Sequence, residues 1–60
     1  MNNAELIKFT VEEFSRLQSY MQAADKQEQV YKLMKARYVE LKVILQASGV
    51  NLNDIDYIKE

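Results

Sequence analysis

The chain has no cysteine, histidine, proline or tryptophan, and a single glycine, Gly49, in 60 residues. Each absence removes a class of chemistry. Without cysteine there is neither a disulfide nor a thiolate nucleophile, and without cysteine or histidine a structural zinc site loses its usual ligands. Without an imidazole the commonest general base is missing, and one isolated glycine cannot form a glycine-rich phosphate cradle. Neither a catalytic role nor a cofactor or bound metal is expected. No run approaches the ~18 consecutive apolar residues of a membrane span. The N-terminus, where Glu5 and Lys8 flank a two-residue apolar pair, lacks a signal-peptide core. The expected location is cytoplasmic, with no membrane contact. An excess of one charge is absent too: 8 Lys and Arg against 9 Asp and Glu give a net charge of −1, with no overall attraction to nucleic acid or anionic lipid.

What remains is 48% hydrophobic residues on a chain nearly free of helix breakers, the composition of an all-α domain. Sixty residues form one small domain at most, and so short a chain buries a modest share of its surface when it folds alone. With disulfide and zinc staples gone, stability must come from close helix packing or from association with another chain.

The stretch Gln29–Gly49 organises the rest. Tyr31, Met34, Tyr38, Leu41 and Leu45 recur at alternating spacings of three and four, the seam of a helix packed along another helix. At roughly 100° per residue, Val30, Leu33 and Ile44 fall on one flank of that seam and widen the apolar arc to about 160°. A single antiparallel neighbour covers less. Gly49 can take the left-handed conformation that closes a helix, with Ser48 as C-cap and Val50 folding back on Leu45.

Before this stretch, Asn2 or Asn3 can cap a first turn, with Glu5 as reciprocal partner. Thr10 and Glu13 form a second capping-box pattern, with Phe9 and Phe14 as its hydrophobic staple. The first helix therefore begins either near Ala4 or after Thr10. It holds one apolar face through Ile7, Val11, Phe14, Leu17, Met21 and Ala24, opposite a polar side of Glu12, Ser15, Arg16, Ser19 and Gln22. Between Ala24 and Glu28, Asp25 can cap a second helix over 26–48, and Glu28 can complete the box. No Gly or Pro enforces a turn there, so one continuous helix competes with a hairpin. The slip in three-four spacing between Ala24 and Tyr31 favours the hairpin. Asn51 with Asp54, and Val50 with Ile55, repeat the cap and staple and predict a short third helix over 52–58.

Carboxylate pairs occur as Glu12 with Glu13 and Asp54 with Asp56. Both fit helix-start roles, and Asp54, Asp56 and Glu60 lack the loop glycine and ligand count of a calcium site. The nine residues Phe9-Thr10-Val11-Glu12-Glu13-Phe14-Ser15-Arg16-Leu17 resemble the opening helix of small helix-turn-helix domains of the excisionase type. That resemblance implies a Gly-containing turn and a basic recognition helix next. Instead, neither Gly nor Pro occurs before Gly49, and the next helix is long and apolar. Lys32, Lys35 and Lys42 share one face beside its seam and form a candidate basic patch, or a merely solvated helix face. Arg37 projects into the wide apolar arc, where an unpaired charge is costly, so it either snorkels or meets a carboxylate across an interface.

These features lead to an antiparallel helical hairpin with a short third helix, assembling as a homodimer with a four-helix core. The candidate interface is Val30, Tyr31, Leu33, Met34, Arg37, Tyr38, Leu41 and Ile44. The expected function is that of a small protein-binding regulator, inhibitor or adaptor whose partner is a larger protein. A DNA-associated regulator using the basic side of the second helix, with nucleic acid as a less favoured partner, is the alternative, and a structural assembly subunit is a third.

Overall fold

The computed structural model describes residues 2–60. Two α-helices, α1 (Asn3–Ala23) and α2 (Gln29–Ala47), are followed by a 3-10 turn (Leu52–Asp54) and an irregular C-terminal segment. No strand occurs among the described residues. The helices form a hairpin, so the continuous-helix alternative is set aside.

The earlier of the two starts for α1 is the one used. Asn2 Oδ1 accepts from the Glu5 N–H at 2.8 Å, and the helix then runs unbroken through Thr10. Thr10 is not a cap: its hydroxyl donates to the Leu6 carbonyl, one turn back, at 2.8 Å. Good helix formers precede it, so propagation from Asn2 outcompetes renucleation at Thr10.

The turn differs from the Asp25 capping box. Asp25 Oδ1 accepts from the Gln27 N–H at 2.9 Å, and its carbonyl accepts from the Glu28 N–H at 3.0 Å. A side chain that bonds two residues ahead makes a local turn and is no longer available to a helix's third N–H. The N-cap of α2 is therefore Glu28, without a side-chain cap, and the helix starts three residues later than residue 26.

At its other end α2 closes as the glycine requires. Gly49 has φ of 84°, the Val50 N–H reaches the Leu45 carbonyl at 3.0 Å, and the Gly49 N–H reaches that of Gln46 at 3.1 Å, a complete Schellman pair. Any side chain at Gly49 would meet open space but a strained backbone.

The core is Phe14 and Met21 from α1 against Tyr31, Tyr38, Leu41 and Leu45 from α2. Met34 is half-buried at its edge. The helices are pinned at mid-height, where the Phe14 and Tyr38 rings stack with centroids 5.3 Å apart and planes 18° from parallel. Each such buried side chain contributes on the order of 2 kcal/mol from removal of apolar surface from water.

The expected third helix over 52–58 is replaced by the single 3-10 turn and an irregular segment. The cause is Gln18, wholly buried in the apolar face of α1. Its amide nitrogen donates to the Ile55 carbonyl at 2.8 Å, and its oxygen accepts from the Tyr57 N–H at 2.8 Å and the Ile58 N–H at 3.1 Å. One side chain thus takes the backbone groups that a helix would have paired internally. Val50, Leu52, Ile55 and Ile58 pack on the core beneath. The Cα extents of 37 × 22 × 15 Å describe a slab: one layer of two helices with this segment laid along it.

Replacing Gln18 with Ala should leave three partly buried backbone groups without their partner and cost about 1–3 kcal/mol in urea unfolding. Amide exchange should speed at Tyr57 and Ile58 before it speeds in the helices. A loss below about 0.5 kcal/mol would rule out this anchoring role.

Candidate functional site

The hairpin has two flanks, and the C-terminal segment lies on one of them. There Tyr38 donates its hydroxyl to Asp56 Oδ1 at 2.5 Å and accepts from the Glu60 N–H at 3.2 Å. Asp56 also accepts from the Lys59 N–H at 2.9 Å and pairs with Lys42 at 3.2 Å. Lys59 adopts a left-handed φ of 57° at this point. The Lys42 ammonium lies 5.0 Å from the Tyr38 ring centroid and donates to the Glu60 carbonyl at 3.0 Å. The Glu60 carboxylate receives the Tyr31 hydroxyl at 2.8 Å and the Lys26 ammonium at 3.3 Å, with Lys35 at 3.7 Å. Tyr57 extends the contact to α1, its hydroxyl reaching the Ser15 carbonyl at 3.2 Å and Ser19 Oγ at 3.3 Å.

The electrostatics follow from these partners. Burial pushes the Asp56 carboxyl up, but the Tyr38 hydroxyl, the Lys59 amide and Lys42 together hold it below the usual carboxylate range. The Tyr31 hydroxyl, assisted by Lys26 and Lys35 against a smaller burial effect, holds Glu60 down as well. Burial and the bond to Asp56 push the Tyr38 phenol up.

Among the described residues the opposite flank has no such cover. From α1 it carries Leu6, Phe9, Glu13, Arg16, Tyr20 and Ala23, and from α2 Val30, Leu33, Arg37, Glu40, Ile44 and Ala47. All twelve are exposed, including Phe9 at 53%, Tyr20 at 55% and Leu33 at 63%. Two observations join the stripes into one surface. Arg37 reaches across to Glu13 with two bonds, Nε to Oε2 at 2.9 Å and Nη2 to Oε1 at 3.2 Å. At the chain-terminal end, Leu6 and Ala47 line a shared groove. Arg37 also donates to Glu40 at 3.0 Å, and its two carboxylate partners push the guanidinium's pKa further up. The surface is an apolar field with a fixed ion-pair cluster at its centre.

The candidate interface residues divide between the two environments. Val30, Leu33, Arg37 and Ile44 lie on the open flank, whereas Tyr31, Tyr38 and Leu41 are buried in the hairpin's own core, with Met34 at its edge. Arg37 does meet a carboxylate across an interface, but that interface is the one between α1 and α2. Of the basic patch, Lys35 and Lys42 are paired with Glu60 and Asp56. Lys32 has no ion pair among the described residues.

Residue spacing singled out neither Leu6 nor Tyr20, and it read Phe9 only as the staple of a helix starting after Thr10. Gln18 carried a usable signal: it is a polar residue between Phe14 and Met21 on the apolar face. No group of three or more acidic side chains among the described residues is placed to hold a metal ion. No described helix is long and apolar enough to cross a membrane. Compared with protein-family models, curated proteins and solved structures, the chain matches none of them.

The carboxylate geometry sets an acid limit on the fold. A carboxylate whose pKa folding depresses contributes stability that is fully present above its unfolded value, about 4. That contribution is lost as pH falls through the lower folded value. Urea midpoints should therefore hold from pH 7 to about 5 and fall below about pH 4. Asp56→Asn should be less stable at pH 7 and show a shallower acid decline. An identical decline in both proteins would exclude Asp56 as its source.

Proposed function

We propose that this chain is a small non-catalytic protein-binding regulator, inhibitor or adaptor. It acts through helix faces as a homodimer with a four-helix core. The observation that carries this reading is the unequal covering of the hairpin: one flank is sealed by the C-terminal segment, while the other leaves aromatic and aliphatic side chains in water. Contiguous apolar fields of this kind mark association surfaces more often than inert ones. A hairpin that supplies two helices and one open face completes a four-helix core by meeting a second such face.

The outer side of α2 supports the adaptor role. Val39 and Val43 are exposed there, away from both flanks, and remain available to a larger protein after dimerisation. The nucleic-acid alternative draws less support, because two of its three lysines face the chain's own carboxylates. Phosphate contacts would give an affinity that falls steeply as salt rises, which a duplex titration at two ionic strengths would reveal.

Light scattering over a wide dilution series should give twice the chain mass at high concentration and a transition to monomer on dilution. Leu33→Glu places a carboxylate in the apolar part of the open flank. It should weaken the dimer by roughly 2 kcal/mol or more, about thirtyfold in Kd, with helicity unchanged because Leu33 contributes little to the hairpin core. A monomeric mass at all concentrations would eliminate the self-association part of the proposal.

A further inference from the structure

The charges on the open flank specify how a second copy fits. On α2 the exposed stripe is symmetric about a point between Tyr38 and Val39. Val30 mirrors Ala47, Leu33 mirrors Ile44, and Arg37 mirrors Glu40. On α1 the stripe is symmetric about a point between Phe14 and Ser15. Leu6 mirrors Ala23, Phe9 mirrors Tyr20, and Glu13 mirrors Arg16. The two midpoints lie at the same height in the hairpin, because Phe14 stacks on Tyr38. A single two-fold axis crossing both helices at that level therefore serves both stripes.

We propose that the occupant of this face is a second copy of the chain, with α2 antiparallel on α2 and α1 antiparallel on α1 about that axis. This rests on the self-association reading above and adds its geometry. In this arrangement every mirror pair becomes a contact. Leu33 meets Ile44 of the other copy, and Phe9 meets Tyr20. The two central pairs, Arg37 with Glu40 and Glu13 with Arg16, each join opposite charges. The four charged side chains sum to zero in each copy, so the face is electrically self-complementary.

Two competing arrangements lack this property. Parallel packing of α2 alone on the α2 of the other copy, about an axis along the helices, sets Arg37 on Arg37 and Glu40 on Glu40. Laying α1 on the α2 of the other copy brings Arg16 within one residue of the level of Arg37. Charges at seam positions serve mainly to fix register and orientation in this way, and like charges set opposite each other reject the alternatives.

The absence of cysteine allows a direct test with single-cysteine variants of the full chain. Positions 33 and 44 are exposed, so Leu33→Cys and Ile44→Cys leave the fold intact, as circular dichroism would verify. In the proposed dimer, each position sits about 16 Å along the axis from its own copy, beyond the roughly 7 Å Cα separation that a disulfide spans. Under oxidation neither variant alone should cross-link. An equimolar mixture, with one variant isotope-labelled, should yield covalent dimers containing one chain of each. Independently, Glu40→Arg should raise the dimer Kd by about tenfold or more, because it sets Arg opposite Arg37.

Cross-linking of each variant with itself would overturn the proposal in favour of parallel packing. Cross-linking of Leu33→Cys with Tyr20→Cys, but not with Ile44→Cys, would overturn it in favour of α1 on α2. A dimer by light scattering that gives none of these products would place the interface elsewhere and leave self-association standing. A monomer throughout would overturn both.

Discussion

Gln18 and the Tyr38–Asp56 bond hold the C-terminal segment to the helices, and the rest of the architecture depends on that docking. A two-helix hairpin of this length has little apolar surface to bury between its helices alone. The segment packs Val50, Leu52, Ile55 and Ile58 against the core cluster that includes the stacked Phe14 and Tyr38 rings. Its backbone polar groups enter the interface already paired with the Gln18 amide, so burial leaves no side-chain polar atom without a partner among the described residues. The same docking pairs Lys35 with Glu60 and Lys42 with Asp56, two of the three lysines of the candidate basic patch.

Covering one flank also defines the other. Because the segment lies on a single side of the slab, the opposite side keeps its apolar side chains exposed, with the Glu13–Arg37–Glu40 cluster among them. In the single chain that cluster holds one guanidinium against two carboxylates, and Arg16 on the same face supplies the charge that balances it. The proposed dimer uses this property. Apolar pairs on either side of the axis supply the driving force, and the charges restrict the pairing to one orientation. A chain without cysteine or histidine would in this way gain a second hydrophobic core by mass action, which ties its stability to its concentration.

Local patterns translated into structure where no competing bond, near or far, was available. The seam of α2, its Schellman ending at Gly49 and the Asn2 cap all formed as their spacing required, because each is decided within one or two helical turns. The Thr10 capping box and the Asp25 cap did not form, since in each case a neighbouring local bond was available. Thr10 bonded back to Leu6 within an established helix, and Asp25 bonded forward to Gln27. The third helix gave way to a contact almost forty residues distant in sequence, from Gln18 to the segment's backbone. No local pattern contains that information.

By itself the sequence determined the helical class, the seam, the helix end at Gly49 and the want of any imidazole, thiol or glycine cradle. These follow from composition and from periodicities that repeat every few residues. Only the tertiary structure decided which flank of the hairpin is covered, that Arg37 is answered by Glu13, and that Leu6, Phe9 and Tyr20 share a surface with Leu33 and Ile44. Those outcomes depend on the relative rotation and height of two helices, fixed by the stacking of Phe14 on Tyr38 and by the anchoring of residues 55–58 on Gln18. Such quantities are set by packing between distant segments and leave no mark in the spacing of residues along either one.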